Sequence, residues 1–233
     1  MNQSAAPSIS IIYPVFNEVE LVEETIRRSV IALEAQGLDF EIIVVDDGST
    51  DETPQIIQTL CQEFSCLKLL KNPRNQGQGR SILNGFAAAS KDYAIHNGID
   101  YPFDLKHLPR LLSLAKTNDI VVAARTSYPG YPIARLFVSQ VNRFLVCLLF
   151  GIGLKDSNFV QLYRTGLIAE LPVQAKSAGF VTTELILLAH DSGFRISEVE
   201  IPYEPREKGT PRNSRLSVVI SSFNDLMRFY FRR

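Results

Sequence analysis

The stretch Ile42–Thr53, Ile-Ile-Val-Val-Asp-Asp-Gly-Ser-Thr-Asp-Glu-Thr, constrains this chain more than any other. Four β-branched apolar residues run without interruption into two adjacent carboxylates, then into a turn and an acidic helix start. A continuous apolar run of this length reads as a strand buried on both faces, which is the situation inside a parallel sheet. Open α/β sheets bind ligands beyond the carboxyl ends of their strands, where Asp46 and Asp47 fall. Two neighbouring carboxylates repel, so at least one of them needs a donor, a cation or a metal. Ser49 or Asp51 is the expected cap of the following helix. Capping leaves Asp46 and Asp47 unexplained, because they precede the turn.

The rest of the chain repeats the alternation. Ser8–Pro14 reads as a first strand, followed by a helix over Val19–Ala35 with Glu20, Glu23 and Glu24 early and Arg27 and Arg28 later, as the helix dipole favours. After the Asp46 strand come a helix from Thr53 to Phe64, a strand at Leu67–Lys71 and a Gly-bearing loop, Asn72–Arg80, that opens a helix through Ala89. Tyr93–Ile95 and Ile120–Ala124 read as strands, with a helix over Asp104–Ala115 between them. This is a βαβ succession with a mostly parallel sheet. Beyond residue 125 the pattern changes: an apolar helix at Ala134–Leu154, a strand at Phe159–Tyr163, a helix at Thr182–His190, a strand pair around Ile196–Tyr203, a polar loop Glu204–Arg215 and a last helix. The reading is one domain of 233 residues in two halves, about 8–124 and 125–215, with an amphipathic helix over 216–233.

Composition narrows the function. A net charge of −1 offers no basic face for nucleic acid. The three cysteines, Cys61, Cys66 and Cys147, share no metal-ligand spacing, and their odd number argues against a disulfide framework, so a reducing cytosol is the expected compartment. The start, Met-Asn-Gln-Ser-Ala-Ala-Pro, has no apolar core of a signal peptide. No run reaches the ~20 apolar residues that span a bilayer. Two segments nonetheless look towards one. Ala134–Leu154 is apolar but broken by Arg135, Gln140, Asn142 and Arg143, and Leu216–Arg233 mixes apolar residues with Arg228, Arg232 and Arg233. Each can be an interfacial helix or a core-packed amphipathic one.

Three motifs, Tyr-Pro-Val-Phe-Asn-Glu (Tyr13–Glu18), Val-Val-Asp-Asp-Gly-Ser-Thr-Asp (Val44–Asp51) and Arg-Asn-Gln-Gly (Arg74–Gly77), come in the order and spacing of family 2 glycosyltransferases, which the chain resembles over nearly its whole length. The second half is most similar to the dolichyl- or polyprenyl-phosphate sugar transferase branch: Arg125, then Arg135, Ser139 and Asn142 on one helix, Asp156 before Phe159–Arg164, and a late Glu198–Gly209 segment. The resemblance implies the GT-A fold, a Rossmann-like α/β architecture. It also implies inverting transfer of a sugar from a nucleoside-diphosphate sugar to a polyprenyl phosphate, at the inner face of the cytoplasmic membrane. A glycan hydroxyl is the alternative acceptor, and a catalytically degenerate binding protein the alternative class. A membrane-anchoring partner or a second copy of the chain is the further associate such an enzyme takes.

Residue roles follow from the resemblance. Pro14, Phe16, Glu18, Asp46, Asp47, Arg74, Gly77 and Asn97 are expected at the nucleotide sugar, where a carboxylate accepts from ribose hydroxyls or a ring N–H. Arg125, Arg135, Ser139, Lys208 and Arg212 are expected at the acceptor phosphate, with Arg135 and Ser139 one helical turn apart on one face. Arg206 is expected to offset charge on the departing diphosphate, and Glu184 to serve as base if the acceptor is a hydroxyl. Where the family carries Asp-x-Asp for Mg²⁺ or Mn²⁺, this chain reads Ile95-His96-Asn97-Gly98-Ile99-Asp100. Asp100 is then the expected metal ligand, with Asn97 or His96 as poorer ones. Asp104 reads as a helix N-cap.

Overall fold

The computed structural model describes residues 7–127, 133–202 and 216–233. A seven-stranded sheet in the order β3-β2-β1-β4-β6-β5-β7 forms its centre. Strands β1 (Ser8–Val15), β2 (Asp39–Asp46), β3 (Leu67–Lys71) and β4 (Tyr93–His96) run parallel. Strand β6 (Val160–Arg164) is inserted antiparallel between β4 and β5 (Ile120–Arg125), and β7 (Ile196–Ile201) lies parallel to β5 at the edge. The expected strand pair around Ile196–Tyr203 is therefore corrected to one strand over Ile196–Ile201. Its alternation of polar and apolar residues reflects an edge position, not a hairpin.

Side-chain alternation divides the core. Ile9, Ile11, Tyr13, Ile42 and Val44 face one side, where α1 (Val22–Glu34), α2 (Thr53–Glu63) and α4 (Leu108–Ala115) supply Ile26, Leu33, Ile57 and Leu111. Ile12, Ile43 and Val45 face the other, against α3 (Gln78–Ala88), α6 (Thr165–Glu170) and α7 (Ala178–Asp191). All these strand side chains are fully buried, each contributing about 1.5–3 kcal/mol. Two bounds differ from the sequence reading. The helix expected from Asp104 is a 3₁₀ turn, Leu105–His107, before α4, with Asp104 accepting from Lys106 N–H at 3.0 Å as its N-cap. Helix α7 begins four residues before Thr182. Gly179, in its first turn, is the point where α8 (Leu216–Arg232) crosses closely: a Cβ there would lie 2.5 Å from Ser222 Oγ.

Among its described side chains, helix α5 (Ile133–Phe150) buries Val146 and Phe150 in its last turns, while Phe137, Phe144 and Leu148 are each about two thirds exposed. On α8, Leu226 and Phe229 are buried, whereas Ile220, Phe223 and Phe231 are exposed. Among the described residues no helix is long and apolar enough to cross a membrane.

At the amino end of the sheet, the buried Glu41 carboxylate accepts from Ser10 Oγ (2.6 Å), Lys68 Nζ (2.6 Å), Ser90 N (2.7 Å) and Ser90 Oγ (2.9 Å). Burial pushes this carboxyl up, but the donors from Lys68, Ser10 and Ser90 outweigh it and hold it at about 2. The stability Glu41 contributes is complete above its unfolded value, 4.5, and is lost as pH falls through about 2. Urea denaturation of wild type and Glu41→Gln should show a gap of about 2–3 kcal/mol at pH 7 that closes as pH drops from about 4.5 towards 2. A gap that stays constant with pH would refute the role of the charge.

Candidate active site

The carboxyl ends of β1, β2 and β4 open onto a cleft of about 730 Å³. Its walls are the segment Pro14–Leu21 on one side, Asp47 with Asn75, Gly77, Gln78 and Ser81 on another, and Gly98–Asp100 below. Pro14, Phe16, Glu18, Asp47, Gly77 and Asp100, all expected here from sequence, line this one space.

The Asp46–Thr53 block builds the walls. Asp46 Oδ1 accepts Ser49 N–H at 2.9 Å, closing the turn. Asp47, almost fully buried, accepts from Asn72 Nδ2 (2.7 Å) and Gln76 N (2.9 Å) at Oδ1, and from Gly77 N (2.8 Å) at Oδ2. The carboxylate pair thus finds its partners first within the protein, Asp47 by gripping the 72–77 loop. Gly48 makes this approach feasible: its φ is 75°, and a Cβ would lie 2.7 Å from the Arg74 carbonyl carbon. Asn72, the first residue after β3, also accepts from Asn84 (2.8 Å) and donates to Ser81 Oγ (3.0 Å). Of the two expected caps, Asp51 accepts Thr53 N–H (3.0 Å), while the Ser49 hydroxyl reaches across to Asn17 N–H (2.9 Å).

Below the cleft the structure revises one assignment. Asn97, expected at the nucleotide or as a poorer metal ligand, is fully buried. Its amide donates to Phe103 O (2.9 Å) and accepts from Gly98 N (3.0 Å) and Phe103 N (3.3 Å). An asparagine offers both a donor and an acceptor, which is what stapling this loop needs and an aspartate cannot supply. His96 packs edge-on against Phe86, with ring centroids 6.2 Å apart, and burial drops its pKa to about 4, so it is neutral at pH 7. Asp100 remains at the cleft, next to Tyr101, whose φ of 53° is left-handed and whose ring lies under the Arg28 guanidinium at 4.1 Å. Among the described residues no three His, Cys, Asp or Glu side chains group as a metal site. One carboxylate does not make a resident site for Mg²⁺ or Mn²⁺.

Among the residues expected at the acceptor, Arg125 at the end of β5 pairs in bidentate fashion with Asp156, through Nε at 2.6 Å and Nη2 at 3.1 Å, and lies over the Phe159 ring at 4.8 Å. Ser139 is exposed on α5 and Arg74 is exposed in its loop. The Arg135 side chain, Arg206, Lys208 and Arg212 lie outside the described residues. Glu184 departs from its expected role. It sits mid-helix in α7, almost fully buried, accepting Gln174 N–H (3.0 Å) and Ala175 N–H (2.6 Å) at Oε2 and pairing with Arg232 of α8 through Oε1. It is not among the residues lining the cleft. Sequence reasoning passed over Asn17, Thr53 and Asn72. The readable signal was for Asn17 alone: an asparagine just past a strand end tolerates the left-handed backbone, and its φ is 54°.

A mostly parallel α/β sheet whose acidic strand end, glycine-bearing loop and helix start close on a cleft of this size has the arrangement in which open α/β folds bind their ligands. The chain belongs to glycosyl transferase family 2, whose family model matches residues 10–149. It is 27% identical over 212 residues to the glycosyltransferase AglD of Haloferax volcanii, covering 87% of this chain and 34% of that protein. It is 28% identical over 220 residues to the undecaprenyl-phosphate 4-deoxy-4-formamido-L-arabinose transferase of Salmonella paratyphi B, covering 92% of this chain and 66% of the relative. The chain therefore spans about a third of the first relative and just under two thirds of the second. Glucosyl-3-phosphoglycerate synthase from Mycobacterium tuberculosis matches in fold with a TM-score of 0.74 at 22% identity, covering 96% of this chain and 80% of that one. That enzyme has been solved with Mn²⁺, UDP-glucose and phosphoglyceric acid.

Proposed function

We propose that this chain transfers a sugar from a nucleoside-diphosphate sugar to a polyprenyl phosphate at the cytoplasmic membrane face, with inversion. A phosphate oxygen of the acceptor attacks the anomeric carbon opposite the diphosphate. The bond from that carbon to the diphosphate oxygen breaks, and the nucleoside diphosphate leaves with the electron pair. The observation that carries the lipid acceptor is the pair of helices with exposed apolar faces. Helix α5 has no acidic residue and carries Arg143, and the one acid of α8, Asp225, is buried beneath exposed Arg228. Apolar surface edged with cations and free of carboxylates suits an anionic lipid surface. The commitment of Glu184 to Arg232 supports the phosphate over the hydroxyl, because a phosphate oxygen is nucleophilic at neutral pH without a base. A divalent cation here would take its ligands from the substrate's diphosphate as well as from Asp100. The name of the Salmonella relative, an undecaprenyl-phosphate transferase, agrees with the lipid acceptor.

The test combines purified protein, a panel of nucleotide sugars with Mn²⁺ or with chelator, and anionic vesicles carrying a polyprenyl phosphate. Lipid-linked sugar should form in step with nucleoside diphosphate release. Phe137→Asp/Phe144→Asp should release the protein from vesicles and cut this transfer, yet leave nucleotide binding intact. Transfer only to sugar hydroxyls would overturn the acceptor. Nucleotide-sugar binding with no turnover under either metal condition would favour a binding protein, the reading that Asn97 in place of an aspartate supports.

A further inference from the structure

We infer that the hydroxyls of Ser49 and Thr53 are positioning residues that set nucleotide affinity without touching the nucleotide, an inference that rests on the nucleotide-sugar reading of the cleft. The segment Phe16–Glu18 forms one wall, and its shape depends on Asn17 holding a left-handed φ of 54°. A non-glycine residue keeps that conformation only when its surroundings over-determine it. Here they do so through one turn. Ser49 Oγ accepts Asn17 N–H at 2.9 Å, Asn17 Oδ1 accepts Thr50 N–H at 2.8 Å, and Thr53 Oγ1 accepts Glu18 N–H at 2.9 Å. Thr53 is fully buried, and its own N–H is fixed by Asp51.

Two residues earlier in the same turn, Asp47 grips the opposite wall through Gln76 and Gly77. The block Asp47–Thr53 is thus one clamp that holds both walls and fixes the width of the gap between them. Neither Ser49 nor Thr53 lines the cleft, so their removal loosens a wall without deleting a substrate contact. Binding should then suffer, and bond breaking in the bound complex should not.

The experiment measures dissociation constants for UDP and GDP by calorimetry, together with steady-state transfer, for wild type, Thr53→Val, Thr53→Ser and Ser49→Ala. Thr53→Val keeps the shape and removes the hydroxyl that accepts the Glu18 N–H. It should weaken whichever nucleotide wild type binds by about tenfold and raise KM for the nucleotide sugar in parallel, with kcat within about twofold. Thr53→Ser should restore affinity, and Ser49→Ala should weaken it by a smaller factor. A folded Thr53→Val that binds as wild type does, or a Thr53→Ser that binds as poorly as the valine variant, overturns the inference. If Thr53→Val does not fold, Ser49→Ala decides: unchanged affinity refutes the clamp. A wild type that binds neither nucleotide overturns the nucleotide reading itself, an outcome separate from the failure of the clamp.

Discussion

Replacing Asp47 by alanine is expected to weaken nucleotide binding a hundredfold or more, the largest effect of any single change in the cleft. The carboxylate holds three donors from the 72–77 loop, two of them backbone N–H groups. Hydrogen bonds to a charged group contribute about 1.5–3 kcal/mol each, and loss of about 3 kcal/mol in wall order corresponds to roughly two powers of ten in affinity. Asp47→Asn should be nearly as damaging. It keeps the size, but one carboxylate oxygen becomes an NH₂ group and meets an N–H donor, either Gly77 on one side or Gln76 on the other. Calorimetric titration with the nucleotide that wild type binds checks both variants. Affinity within about threefold of wild type in a folded Asp47→Asn would show that the loop is held by other means.

The second large effect falls on stability. Glu184 and Arg232 form an ion pair whose carboxylate is almost fully buried, and removing one partner of such a pair costs about 3–5 kcal/mol because the other charge stays behind. Arg232→Ala should lower the thermal midpoint by roughly 6–20 °C for a chain of this size. It leaves Glu184 with only the N–H groups of Gln174 and Ala175 as donors. Combining Arg232→Met with Glu184→Gln should recover most of that loss, since a neutral pair leaves no uncompensated charge. In each variant, transfer to lipid phosphate per folded molecule should match wild type. A stable Glu184→Gln that no longer transfers sugar would return Glu184 to a catalytic role.

The sequence made the first half legible because its signals are local. The Ile42–Val45 run, the helix-dipole charges of α1 and the glycines of the 72–80 loop each announce a structure within a few residues. The sites that escaped it depend on partners far along the chain. Glu184 looks like a base until Arg232, 48 residues away, is seen beside it. Ser49 looks like a helix cap until Asn17, 32 residues earlier, claims its hydroxyl. Asn97 looks like a weakened metal ligand, and only the course of the chain back to Phe103 reveals the staple. The direction of β6 was equally hidden, since Val160–Arg164 is apolar enough for either orientation.

That orientation decides how the protein can come apart. Residues 8–124 form the first half in the sequence reading, yet β5, the last strand that begins within them, pairs among the described residues only with β6 and β7, both made later. Strand β4 likewise has β6 as its neighbour on the side away from β1. A fragment ending near residue 125 would leave β4 as an open edge, its backbone donors and acceptors exposed for pairing with another chain, and β5 with no strand beside it. A chain that stops short of residue 164 is therefore expected to be incomplete, with β4 unpaired on one side. The strands on either side of residue 125 thus share one sheet, and a cut there should expose both β4 and β5.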